Sequence, residues 1–146
     1  MDATSDRVYL KDVLGQMALE ELTHARILLV DDDEDNLALL DSALKRAGAR
    51  HTASVSDPFA AAAVYREFRP DVVLLDYAMP NMNGLEAARL ISASMPQCGL
   101  ILFTMFASHE LSTLAQAAGV HTVVSKEIGG VHALVEAIEK ITSEAA

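Results

Sequence analysis

The sequence predicts an α/β protein built on a doubly wound, mostly parallel sheet of five strands, with helices on both faces. Between residues 26 and 141, short β-rich runs alternate strictly with segments of helical spacing, which is typical of parallel sheets. Several of the runs are continuously apolar, as expected for strands buried on both faces. The chain has 146 residues, 51% of them hydrophobic, which is enough for one domain with a sizeable core.

The elements follow from spacing and from local stop signals. The predicted strands are 26–30, 51–55, 71–75, 99–103 and 121–125. Apolar stripes predict helices over 37–47, 59–68, 85–95, 111–118 and 131–141. Gly48, Pro96 and Gly119 end three of these helices, and Asp57 with Pro58 predicts an N-cap and a first helical residue.

Charge and composition exclude several classes of function. The formal net charge is −10 and no basic cluster is present, so direct nucleic-acid binding is not expected. The apolar runs are too short to span a membrane, and the first residues lack the order of a signal peptide. Cys98 is the single cysteine, so an internal disulfide is excluded and a cytoplasmic location is expected.

Residues 1–25 precede the first strand and form a separate N-terminal extension in this prediction, with the main domain over 26–146. Their large apolar residues favour a helix, although Gly15 weakens it. These residues are Val8, Leu10, Val13, Leu14, Met17 and Leu22. A lone helix of this length needs a surface to pack on. The protein's own core or the same segment of a second copy can supply it, and the second choice gives a homodimer.

Polar residues collect where the predicted strands end. Asp31 and Asp32 follow the first strand and Asp76 the third, while Thr104 follows the fourth and Lys126 the fifth. In open parallel sheets, ligands bind at the carboxyl ends of the strands. If the first and third strands are neighbours, the three carboxylates converge at this edge.

Converging carboxylates require compensation. Two of them roughly 5 Å apart repel by about 3 kcal/mol at an effective dielectric near 20. A hard cation such as Mg²⁺ removes that cost and favours oxygen ligands. Asp76 is then a candidate nucleophile toward phosphorus, with Lys126 and Thr104 contacting phosphoryl oxygens. Taken singly, each residue also fits a helix cap, a turn or a surface charge.

Other phosphate and metal motifs fit less well. Asp31, Asp33 and Asp35 mimic an EF-hand loop, but Asn36 and Ser42 stand where its glycine and bidentate glutamate belong. Neither a dinucleotide fingerprint nor a P-loop follows the first strand. Hydrolases with an aspartyl-phosphate intermediate usually carry a second acid two residues after the nucleophile, and here that position is Ala78.

Four motifs in order, ILLVDDD (27–33), LLDYAMPNMNG (74–84), LFT (102–104) and VVSK (123–126), resemble the receiver domain of bacterial two-component response regulators. The resemblance covers about 26–141 and implies a flavodoxin-like sheet of order 2-1-3-4-5 with five helices. It implies a protein that catalyses its own phosphorylation and dephosphorylation, not an enzyme acting on a separate substrate. The implied partners are a sensor histidine kinase or phosphotransfer protein and a downstream effector protein.

The resemblance also assigns roles to residues. It implies that Asp76 accepts the phosphoryl group. Asp32, Asp76 and the backbone carbonyl of Ala78 bind Mg²⁺ directly, and Asp31 acts through water. Lys126 pairs with the phosphoryl group and Thr104 shifts on activation. Pro80 and Gly84 shape the loop after Asp76.

The sequence departs from the family pattern in three places, one of which is residues 1–25, which have no counterpart in the family's core. Val123 stands where an aromatic residue often serves as a switch, and Glu127 replaces a common proline. We therefore weigh a phosphorylation switch that signals through the fourth helix, fifth strand and fifth helix against a phosphate-independent interaction module. Only TSEAA follows the last predicted helix. The sequence is therefore consistent with a stand-alone receiver and with a fragment of a longer DNA-binding regulator.

Overall fold

A five-stranded sheet forms the centre of the computed structural model, which describes residues 22–79, 82–127 and 129–145. Its strands are β1 (Arg26–Val30), β2 (His51–Val55), β3 (Val72–Leu75), β4 (Gly99–Thr104) and β5 (Thr122–Ser125). Their order is β2-β1-β3-β4-β5 and all neighbouring pairs are parallel. The predicted fold class and strand order are confirmed.

One α-helix follows each of the five strands within the described residues. They are α1 (Glu34–Arg46), α2 (Ala61–Phe68), α3 (Gly84–Ser94), α4 (His109–Ala117) and α5 (Gly130–Ala145). Side chains cap three of their first turns: Asp33 accepts from the backbone of α1, Asn83 from that of α3 and Ser108 from that of α4. These caps satisfy N–H groups that would otherwise lack partners at the edge where the strands end.

The core lies in two layers, one on each face of the sheet. Alternate strand residues supply each layer, because successive side chains of a strand point to opposite faces. Leu100 and Leu102 of β4 pack toward α2, α3 and α4, whereas Ile101 and Phe103 pack toward α1 and α5. The strictly apolar β3, buried along its whole length, is therefore explained by helices on both sides.

The second crossover differs from the sequence prediction. Asp57 caps a short 3-10 helix, Pro58–Ala60, by accepting a hydrogen bond from the N–H of Phe59, and α2 begins only at Ala61. The N–H of Ala60 bonds the carbonyl of Asp57, three residues earlier, which is the tighter 3-10 pattern.

Residues 1–21, which make up most of the predicted N-terminal extension, lie outside the described residues. Its last residues, 22–24, are helical, and Leu22 and Ala25 are buried in the layer that faces α1 and α5. The Thr23 hydroxyl donates to the carbonyl of Gly48 at 3.3 Å. No helix in the described part of the chain is both long enough and apolar enough to cross a membrane.

Candidate functional site

The sheet hydrogen bonds continue one residue past the strands and fix the backbone of the predicted site residues. The N–H of Asp76 donates to the carbonyl of Val30 at 3.1 Å, and that of Asp31 donates to Val55 at 3.3 Å. The N–H of Lys126 donates to the carbonyl of Thr104 at 2.9 Å. These side chains therefore start from a rigid sheet edge, not from mobile loops.

The sheet register brings three carboxylates together. Val30 pairs with Leu75, so the next residues, Asp31 and Asp76, follow at the same height. Asp32 completes the group, and one carboxylate oxygen from each of the three lies within 4.8 Å of the others. Asp31 is buried, Asp76 is half-buried and Asp32 is exposed. The sequence prediction placed these same three side chains at one edge.

Lys126 supplies the positive charge next to this group. Its Nζ lies 3.1 Å from Oδ1 of Asp76 and 3.9 Å from Oδ2 of Asp31. The side chain is only 22% exposed, so solvent screens these contacts less than it screens a surface ion pair. Lys126 therefore offsets part of the repulsion among the carboxylates.

Asp31 is the carboxylate that the fold destabilises. Burial raises its pKa from 3.8 to about 6, and the charge of Asp76 adds to that rise. The N–H of Asp33, which donates to Oδ1 of Asp31 at 3.0 Å, and the charge of Lys126 act in the opposite direction. One lysine thus leaves the cluster with excess negative charge near neutral pH.

Thr104 is completely buried at the end of β4. Its Oγ1 accepts a hydrogen bond of 3.0 Å from the backbone N–H of Phe106. Phe106 itself is 63% exposed, and its ring makes an edge contact with Tyr77, with 6.4 Å between the ring centroids. The hydroxyl of Thr104 therefore ties the start of the β4–α4 loop to the strand end.

The donor set fits a small hard cation. The cleft beside the carboxylates is lined by Asp31, Asp32, Asp33, Asn36, Asp76, Tyr77, Ala78, Met79 and Asn83. Octahedral Mg²⁺ binds oxygens at about 2.1 Å, which places neighbouring ligands about 3 Å apart and opposite ligands about 4 Å apart. Carboxylate oxygens within 4.8 Å of one another reach that spacing with small side-chain movements. No sulfur or imidazole ligand lies in this group, which favours Mg²⁺ over zinc.

Gly84 at the start of α3 lets the loop after Asp76 pack closely. A Cβ at this position would lie 2.7 Å from the carbonyl oxygen of Asp76 and 2.6 Å from Cδ1 of Leu102. The N–H of Gly84 also donates to the carbonyl of Tyr77 at 2.8 Å. Pro80, the other residue expected to shape this loop, lies outside the described residues.

Comparison with known proteins agrees with this architecture. Residues 27–139 match the family model for the response regulator receiver domain. The chain belongs to this family. A receiver of the two-component systems therefore accounts for the alternating fold and for the polar residues at the strand ends.

Three similar proteins illustrate the match. The virulence sensor protein BvgS of Bordetella bronchiseptica is 37% identical over 128 residues, covering 83% of this receiver chain and 10% of that protein. The DNA-binding response regulator MtrA of Mycolicibacterium paratuberculosis is 43% identical over 68 residues, covering 47% of this chain and 30% of MtrA. The structure of a LuxR-family response regulator from Aurantimonas is 32% identical, with a TM-score of 0.72, covering 82% of this chain and 86% of that one. The chain thus spans a tenth to about a third of the two full-length relatives.

Some residues at the site were not singled out from the sequence. Asp33 was considered in the EF-hand pattern, which does not fit; it caps α1, and its N–H donates to Asp31. Phe103 was read as an ordinary strand residue, yet its ring lies under the ammonium of Lys126. The available signals were the position of Asp33 three residues after β1 and the placement of an aromatic residue directly before Thr104. Cys98 is buried away from this group, and burial raises the pKa of its thiol to about 12.

Proposed function

We propose that this receiver is a phosphorylation-dependent signalling switch in which Asp76 accepts a phosphoryl group. The donor is a phosphohistidine on a sensor histidine kinase or phosphotransfer protein. The observation that carries the proposal is the contact of 3.1 Å between Lys126 and Asp76 inside a group of three carboxylates. A carboxylate held beside a cation at a strand end combines a nucleophile with a partner for the incoming phosphoryl oxygens.

The transfer step is a displacement at phosphorus. A carboxylate oxygen of Asp76 forms a bond to phosphorus, while the bond from phosphorus to the imidazole nitrogen of the donor breaks and its electron pair stays on that nitrogen. The product is an acyl phosphate on Asp76. Mg²⁺, when bound by Asp31, Asp32, Asp76 and the Ala78 carbonyl, would neutralise charge on the transferring oxygens.

The chain's own residues hold and stabilise the new group. Lys126 exchanges its contact with the Asp76 carboxylate for one with a phosphoryl oxygen. Thr104 donates its hydroxyl hydrogen to another phosphoryl oxygen. The protein therefore promotes its own phosphorylation and its slow hydrolysis, and it acts on no separate substrate. Ala78, which has no polar side chain to orient water, favours a long-lived phosphorylated state.

The signal leaves the site through Thr104. When its hydroxyl turns toward the phosphoryl group, the bond that it accepts from the Phe106 N–H is weakened. The β4–α4 loop is then free to adjust, and α4 with it. Val123 lies beside Leu102 in the sheet. Because its side chain is aliphatic, it does not provide the aromatic switch, and we assign the coupling to the loop and to α4. The resulting change reaches an effector protein through the face formed by α4, β5 and α5.

Intact mass spectrometry tests the proposal directly. Incubation with acetyl phosphate and Mg²⁺ should add one phosphoryl group to the wild-type chain and none to Asp76→Asn, because an amide is a poor nucleophile. Omitting the divalent ion should remove the gain. Asp71→Asn is the matched control, because Asp71 lies at the opposite end of β3 and its side-chain oxygen accepts from the Arg26 N–H, which an amide oxygen also does.

The alternative outcomes are distinct. No mass gain in the wild-type chain with Mg²⁺ would favour a phosphate-independent interaction module that keeps only the fold. An equal gain in Asp76→Asn would reassign the phosphoacceptor. We further propose 26–146 as the extent of the receiver and 1–25 as an extension. The short coverage of BvgS and MtrA leaves both a stand-alone receiver and a part of a longer DNA-binding regulator as candidate settings.

A further inference from the structure

An aromatic ring lies directly beneath the lysine of the site. The Nζ of Lys126 is 5.6 Å from the centroid of the Phe103 ring. Phe103 is 8% exposed and belongs to the core layer that faces α1 and α5. It directly precedes Thr104, the last residue of β4, and it pairs with Val124 of β5. The ring therefore has a fixed position at the edge of the sheet where the site lies.

The ammonium of Lys126 lies near two carboxylates. It lies 3.1 Å from Asp76 and 3.9 Å from Asp31, and its long side chain has many rotamers to lose when it is held in one place. A cation over an aromatic face is attracted by the negative charge on that face. The Phe103 ring thus restricts the ammonium to a position shared by the ring and the two carboxylates.

Phe103 also contributes apolar surface on the side of Lys126 that faces the core. Together with Asp31, Asp76 and Lys126 it lines a small cavity whose remaining walls are mostly aliphatic residues of β1, β3 and α1. A close charge pair with one dry side is less screened than the same pair in water. The ring thus has two effects on one group: it holds the ammonium and it excludes water beneath it.

We propose that Phe103 is a positioning residue for phosphoryl transfer, acting through Lys126. The proposal rests on the function proposed above. Phe103 supplies no metal ligand and no reacting atom, so it affects the reaction by keeping the Lys126 ammonium beside Asp76. Replacing the ring should loosen Lys126 while leaving the three carboxylates where they are.

Three variants separate this role from ordinary packing. Phe103→Leu keeps an apolar side chain and removes the ring, whereas Phe103→Tyr keeps the ring. Ile101→Val is the matched control, because Ile101 is fully buried on the same face of β4 and lies two residues, roughly 7 Å, farther from the site. Urea unfolding of each variant first measures the loss of stability that packing alone causes.

Two readouts report on the site and not on the packing of the core. The first is the rate of phosphorylation by acetyl phosphate, which Phe103→Leu should lower by about three- to tenfold, the range that a partly desolvated cation–π contact gives. Phe103→Tyr and Ile101→Val should stay within about twofold of the wild type. The second is Mg²⁺ affinity, measured from the metal-dependent rise in stability, which should be the same in all four proteins.

The position of the lysine can be measured without any phosphorylation. In limited acylation with acetic anhydride, mass spectrometry should show faster labelling of Lys126 relative to Lys45 in Phe103→Leu only. Lys45, 57% exposed on α1, serves as the internal reference.

Different results overturn different claims. Unchanged labelling of Lys126 in Phe103→Leu, or a parallel loss of Mg²⁺ affinity, would overturn the positioning role, even if the rate falls. Absence of phosphorylation in the wild type would instead contradict the proposed function, while the labelling result would still decide whether the ring holds the lysine.

Discussion

Asp31→Asn should stabilise the metal-free protein at neutral and alkaline pH. The fold raises the pKa of Asp31 from 3.8 to about 6, first through burial and then through the charge of Asp76. A shift of about two pKa units corresponds to about 3 kcal/mol between the ionised and protonated forms. The amide keeps an oxygen that accepts from the Asp33 N–H, so the substitution removes the charge and retains the hydrogen bond found at 3.0 Å.

The sign of the pH dependence follows from linkage. Because the folded protein holds the Asp31 proton more tightly than the unfolded chain does, wild-type stability falls as pH rises from about 4 to about 6. Below that window the carboxyl is protonated in both states and the variant has no advantage. Above it the full difference, about 3 kcal/mol, should appear as a higher free energy of unfolding in Asp31→Asn.

Urea unfolding in the presence of a chelator, from pH 4 to pH 8, measures this difference directly. Subtracting the two curves removes the titration of the carboxyl groups that do not interact with Asp31. Asp32→Asn serves as the control: Asp32 is exposed, so solvent screens its charge and its metal-free gain should be smaller than that of Asp31→Asn. Both variants should lose part of the Mg²⁺-dependent stabilisation. Equal stability of wild type and Asp31→Asn at pH 8, or a gain that is the same at pH 4, would refute the argument from burial.

Three further predictions concern the loops around Asp76. Gly84→Ala should destabilise the fold by about 1–3 kcal/mol and slow phosphorylation, because the new Cβ would clash with the Asp76 carbonyl and with Leu102. Unfolding and mass-gain curves of the variant that match those of the wild type would contradict this prediction. Phe106→Ala should speed phosphate loss about two- to tenfold, because we expect the ring, which contacts Tyr77, to shield the phosphoryl group from water. Phosphate loss at the wild-type rate, followed by intact mass over time, would contradict this expectation. Phosphorylation should change amide hydrogen exchange within 105–125, and unchanged exchange there rejects the route through Thr104.

Local patterns in the sequence were enough to predict the fold. Residues 27–30 and 72–75 are apolar without alternation, because each run lies between helices on both faces of the sheet. Helix ends at Gly48 and Gly119 follow from the positive φ that both glycines adopt. The start of α2 was harder, since an Asp-Pro pair fits a 3-10 turn as well as an α-helical one.

The candidate site was predictable in its members but not in their environments. Asp31, Asp76 and Lys126 each follow a strand directly, Asp32 comes one residue later and Thr104 ends β4. A parallel sheet therefore brings all five to one edge. Neighbouring acidic residues look alike in a sequence, however. Nothing in the run from 31 to 35 indicates that Asp31 is buried or that Asp32 is exposed.

The sequence by itself therefore determined the order of the elements, the edge at which the polar residues meet and the chemistry that those residues support, since all three depend on local periodicity and on chain order. The tertiary structure alone decided which carboxylate bears the cost of burial and which ring lies under Lys126. Both depend on pairings between strands far apart in the chain, β1 with β3 and β4 with β5. A displacement of one residue in either register would turn these side chains to the opposite face of the sheet.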